Sequence, residues 1–171
     1  MANADTPHGF TPMRHLTGGI IRANEYEIAN GEADSFSFGD IVQLDSDGFL
    51  DAFANSENAI GVFYGVQYTD DTTGDVKFER KWTGGSTFKV QAGGAAIAQA
   101  NVGELCNVIL TAGDATFLNS KHEADMSTLA NTAKVLRILR IVDEPGNEIA
   151  ENAEIEVVIN NHLFGTQNAG I

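Results

Sequence analysis

Along much of this chain apolar and polar residues alternate with a period of two. That spacing places side chains on one face of a β-strand. Tyr26 and Ile28 stand two apart, as do Phe36 and Phe38, and Ile155, Val157 and Ile159 repeat the pattern most cleanly. Two richer runs, Ile60 to Tyr68 and Lys134 to Val142, are nearly continuous. The second fits a helical period almost as well, but its length and β-branching favour a buried strand. Gly61 and Gly65 inside the first suggest a bulge or a bend in a curved sheet. Turn signals separate the runs: Asn30-Gly31, Gly39-Asp40, Asp45 to Gly48, Asp70 to Asp75, Gly84-Gly85 and Pro145 to Asn147. The pattern predicts about eight or nine short strands and little helix, which is the signature of a barrel or sandwich. The expected fold class is therefore mainly β, a single compact domain over residues 20–171.

Two stretches break the pattern. Residues 111–131 are the least strand-like, and a long surface loop with a short helix over Ala124 to Asn131 is expected there. Residues 1–19 contain Pro7, Gly9, Pro12 and the Gly18-Gly19 pair, which exclude a helix. Phe10, Met13 and Leu16 recur every third position among polar neighbours. A terminus that merely frays is common, but such a terminus has no use for these residues. The segment reads as an extended arm, with a reach on the order of 60 Å, that orders on a neighbouring molecule and buries Phe10, Met13 and Leu16 there.

Charge narrows the partners. Lys plus Arg is 10 against 24 Asp plus Glu, a net charge of −14. Such a chain repels nucleic acid and anionic membrane surfaces, so neither is an expected partner. The exceptions are local: Arg14 and Arg22 against Asp5 alone near the start, and Lys77, Arg80, Lys81 and Lys89 around Glu79. Trp82 beside Lys81, on the same predicted strand as Arg80, is a candidate partner contact, since Trp and Arg dominate interface hot spots; a half-buried Trp under a lysine stem is the competing reading. The opening residues have neither the basic nor the apolar region of a signal peptide, and no apolar stretch approaches the length of a membrane span.

Catalytic signals are lacking. His8, His15, His122 and His162 include no i, i+4 pair, and Cys106 is the sole cysteine, set among Leu105, Val108, Ile109 and Leu110 as in a buried thiol. Asp45, Asp47 and Asp51 resemble a fragment of a calcium loop, but position 56 is Ser and Gly48 falls too early. No nucleophile elbow, phosphate-binding loop or dinucleotide fingerprint occurs. No enzyme activity, metal or cofactor is expected.

The opening HGFTPMRHLTGG resembles the start of small structural proteins of tailed bacteriophages through Gly9, Phe10, Pro12, Arg14, Leu16 and Gly18. Similarity returns at residues 88–94 (FKVQAGG), 139–148 (LRIVDEPGNE) and 157–162 (VVINNH). Residues 111–131 depart from the pattern. The proteins resembled are head decoration, or cementing, proteins. The resemblance implies a β-rich domain on the outer capsid surface of a virion, made in the host cytoplasm, typically as a homotrimer. It also implies an N-terminal arm on the major capsid protein. Phe10, Thr11, Pro12, Arg14 and Leu16, with Met13 and His15 between them, become the expected capsid contacts. Other expectations are a tail-tube or minor capsid subunit, and a carbohydrate- or host-binding module using Trp82 with Tyr26, Tyr64 or Tyr68 as an aromatic platform.

Overall fold

A computed structural model describes residues 2–21, 23–29, 35–65, 77–82, 86–113 and 119–165, with the backbone alone for Lys77–Trp82. The alternating segments become strands. β1 (Thr11–His15), β2 (Ala23–Ile28), β3 (Ile41–Leu44), β4 (Leu50–Ala52), β5 (Gly61–Phe63) and β6 (Lys77–Trp82) precede β7 (Ser86–Gly93). β8 (Leu105–Ile109), β9 (Glu123–Ala130), β10 (Leu136–Ile141) and β11 (Glu154–Ile159) follow it. The described helical content is one 3₁₀ turn, Gln99–Asn101. The fold is mainly β, as the spacing predicts.

The strands make two curved bodies. β2, β4, β3, β5 and β6 close, in that order, into a small barrel. The other strands form a six-stranded sheet ordered β1-β7-β11-β10-β8-β9, and it curls until the start of β9 meets the end of β7 in parallel, Ala92 opposite Ala124. Each body has its own core. Ile28, Phe36, Val42, Leu50, Ile60 and Phe63 fill the small barrel. Phe88, Val90, Leu136, Ile138, Ile155 and Val157 are among those filling the larger one.

Adjacent residues of β3 and β5 serve different cores. Ile41 and Val62 pack into the larger core, whereas Val42 and Phe63 point into the small barrel. Successive strand side chains point to opposite faces, so these apolar pairs are the signature of strands buried on both sides. They join the two bodies.

Two expectations are corrected. Residues 123–130 are not a helix in a loop but strand β9, paired antiparallel with β8. Ala124 and Met126 face the core while Ser127 faces solvent. The helix propensity of Ala, Met and Leu is weak beside such pairing. The segment 1–19 is extended, but it does not stand away from the body. Thr11 to His15 pair antiparallel with Lys89 to Ser86 of β7, with a bulge at Met13. The turns expected at Asn30-Gly31, Asp70 to Asp75 and Gly84-Gly85 lie outside the described residues.

Candidate binding surface

The N-terminal residues form a strap across the outer face of β7 and β11. Asn3 is the first anchor: its Nδ2 donates to the carbonyls of Glu148 (2.9 Å) and Glu151 (3.0 Å), and its Oδ1 accepts from Glu148 N–H (2.9 Å). Gln91, buried on β7, donates to Ala4 O (2.9 Å) and accepts from Thr6 N–H (3.2 Å). His8 Nε2 then lies 3.0 Å from Glu154 Oε2 on β11. The hydrogen bond to that carboxylate raises the His8 pKa, and burial opposes the rise.

After His8 the strap turns inward. Gly9 has φ +69°, and a Cβ there would lie 2.3 Å from Ser120 Cβ. Only glycine accepts both the left-handed backbone and the close approach. Phe10 N–H donates to Gly39 O at 2.9 Å, and the ring is fully buried, edge-on to Phe88 with centroids 6.2 Å apart. Phe10 is therefore a core residue of its own chain, and its expected role as a capsid contact is corrected: apolar burial already holds it there, at about 1.5–3 kcal/mol.

Beyond Phe10 the segment faces outward by degrees. Thr11 is exposed, with its hydroxyl 3.5 Å from His8 Nδ1, while Pro12, Met13 and His15 are half-buried. Pro12 is compatible with β1 because this strand is the edge of the sheet. His15 Nδ1 accepts from Thr17 N–H at 3.3 Å, tightening the turn that follows. Leu16 is 48% exposed and Ile20 is 82% exposed.

Arg14 makes the main electrostatic contact. Its Nε donates to Glu156 Oε1 at 2.7 Å, and Arg140 Nε from β10 donates to Oε2 of the same carboxylate. Glu156 is fully buried, while the arginine side chains remain 53% and 46% exposed. Burial by itself pushes the Glu156 pKa up, but the hydrogen bonds from Arg14 and Arg140 outweigh it and bring the value down to about 2. This links β1, β7, β11 and β10. Sequence reasoning singled out Arg14 but not Glu156 or Arg140. Glu156 looks like any solvent-facing residue between Ile155 and Val157, and one of the two arginines that meet it lies 142 residues away.

Arg80 and Trp82 lie on β6, opposite Glu25 and Ala23 of β2, and Trp82 is also opposite Val62. Their side chains are outside the described residues. Of the tyrosines, Tyr26 packs against the small core. Tyr64 is exposed with its ring 4.7 Å from Phe38, and Tyr68 lies outside the described residues.

A cavity of about 420 Å³ opens between the two bodies, lined by Phe36, Ser37, Asp40, Ile41, Phe53 and His122 among others. Its Ser, His and Asp do not have the arrangement of a nucleophilic triad, in which the ring uses one nitrogen for the carboxylate and the other for the hydroxyl. His122 Nδ1 accepts from Ile41 N–H at 3.3 Å, and Nε2 faces Asp40 Oδ1 at 3.5 Å. Nδ1, the nitrogen a triad gives to its carboxylate, is taken by a backbone N–H, and the carboxylate lies on the side of Nε2, where a triad has its hydroxyl. Burial lowers the His122 pKa against the pull of Asp40. Cys106 is buried with its thiol pushed up to about 12 by desolvation. Among the described residues no group of three His, Cys, Asp or Glu side chains is placed to hold a metal ion, and no helix is long and apolar enough to cross a membrane.

Compared with known proteins, the sequence matches no family model and no curated protein.

Proposed function

We propose that this chain is a virion structural protein that decorates and stabilises the outer surface of a tailed-phage capsid, binding the major capsid protein through its N-terminal segment and acting as a homotrimer. The observation that carries the reading is the outward display of Leu16 and Ile20 just beyond a segment fixed by Phe10 and Arg14. The phage-like motif divides accordingly. Gly9 and Phe10 are explained by the chain's own packing, and Arg14 only through its Nε bond to Glu156; Leu16 is not. Exposed apolar side chains on an ordered backbone suit a partner surface, because the backbone ordering cost is met before binding. Repeated contacts from a trimer would add avidity without further chemistry.

Deleting residues 1–19 would remove a strand and a core phenylalanine, so the test uses surface substitutions. Purified protein is mixed with mature capsids and co-sedimented. The expected result is saturable binding that Leu16→Asp combined with Ile20→Asp weakens at least about tenfold, the loss of roughly 1.4 kcal/mol of apolar contact, with the denaturation midpoint unchanged. Equal binding by both proteins, or no binding by either, overturns the reading.

A further inference from the structure

We infer that Arg14 and Arg140 together form a two-guanidinium receptor for a carboxylate on an acidic segment of the capsid protein, an inference that rests on the capsid-binding reading above. Both Nε atoms bond the two oxygens of one buried carboxylate, which keeps the two Nε atoms within about 7 Å of each other. Among the described residues the terminal nitrogens of both arginines have no partner. Two positive charges share one negative charge, so the cluster carries a surplus positive charge on a chain whose net charge is −14. Among the described residues the nearby carboxylates are already paired with other cations. Lys89 is engaged with Glu144 at 3.4 Å, and His8 with Glu154.

Glu156 approaches the pair from inside. A second carboxylate approaching from solvent would meet the free terminal nitrogens and relieve the repulsion between the guanidinium groups. Arginine offers paired donors in a planar fork suited to this. β1 is the edge of the sheet and leads directly into exposed Leu16, so a segment bound here is set to contact that side chain as well. A protein carboxylate fits better than nucleic acid. A polyanion many charges long meets the repulsion of the whole acidic body. One or two carboxylates are governed by charges within a Debye length, about 8–10 Å at moderate salt.

The test follows the Nε–H resonances of Arg14 and Arg140 by NMR in the full chain while an acetylated pentaglutamate peptide is added, with pentaglutamine and oligothymidylate as controls. Capsid co-sedimentation is run in parallel. Arg140→Gln leaves Glu156 paired with Arg14, so its folding is checked by its denaturation midpoint, and Arg140→Lys keeps the charge but loses the fork. The expected result is that pentaglutamate shifts both resonances, pentaglutamine shifts neither, and Arg140→Gln weakens peptide and capsid binding by about tenfold. Arg140→Lys should fall between, and raising salt from about 50 to 300 mM should weaken both. Peptide shifts that survive Arg140→Gln, or oligothymidylate binding as tightly as pentaglutamate, overturn the inference. Capsid binding unchanged by Arg140→Gln overturns it while leaving the decoration role intact. Peptide binding with no capsid binding by any form overturns the decoration role and leaves the receptor.

Discussion

At the scale of single residues, Glu156 is the most consequential side chain outside the apolar cores. A fully buried carboxylate is costly unless its charge is met, and here two arginines meet it. The pH dependence follows from its folded pKa of about 2, below the free value of 4.5. A depressed carboxylate stabilises the fold in full above its unfolded pKa and loses that contribution as pH falls through the folded one. The window is therefore pH 4.5 to about 2, and the contribution is on the order of 3 kcal/mol. Urea midpoints measured across that window should fall for the native chain more steeply than for Glu156→Gln, which has no proton to gain. Parallel curves would show that the arginines do not hold this carboxylate ionised.

At the scale of elements, β1 decides what the N-terminal segment is. A free arm would tolerate the loss of its aromatic residue, whereas a strand that inserts Phe10 beside Phe88 would not. Phe10→Ala should cost about 3–5 kcal/mol of stability through the cavity it leaves, and Leu16→Ala should stay within about 0.5 kcal/mol. Chemical denaturation of the two variants checks this, and equal midpoints would return residues 10–16 to the status of an arm. β1 was illegible for a physical reason. Pro7, Gly9, Pro12 and Gly18 read as breakers along the chain, yet each is permitted where it falls: Gly9 at a crowded left-handed position, Pro12 on an edge strand and Gly18 in a turn at φ +75°. What stabilises the strand is β7, more than 70 residues on. β9 was missed for the same kind of reason, since Ala, Met and Leu name no strand until β8 and β7 flank it. By contrast β10 and β11 carry their own signal in β-branched residues, and both were legible. So was Arg14 as a residue of interest, though its partners Glu156 and Arg140 depend on register that the sequence does not display.

At the scale of the whole molecule, the question is whether the small barrel and the curled sheet unfold separately. The two hydrophobic clusters would suggest that they do, but β3 and β5 contribute to both. Ile41 and Val62 belong to the larger core, while Val42 and Phe63, next to them in sequence, belong to the smaller. A fluctuation that releases β3 from its barrel must therefore also open the larger core around Phe10 and Phe53. Backbone bonds tie the same region: Phe10 N–H reaches Gly39 O, Ser120 N–H reaches Phe38 O, and Ala59 N–H reaches Asn161 O, each at 2.9 Å. Cooperative unfolding in one transition follows, with equal calorimetric and van't Hoff enthalpies. Ile41→Ala should lower the stability of the whole by about 2–5 kcal/mol without dividing the transition. Calorimetry of the native chain and of Ile41→Ala tests this. If the variant melts in two steps, with the small barrel first, β3 belongs to one body only. If both proteins melt once and the variant earlier, the shared strands make the molecule a single unit. In that unit the strap, the buried Glu156 and the exposed ends of Arg14 and Arg140 are held in fixed register with Leu16.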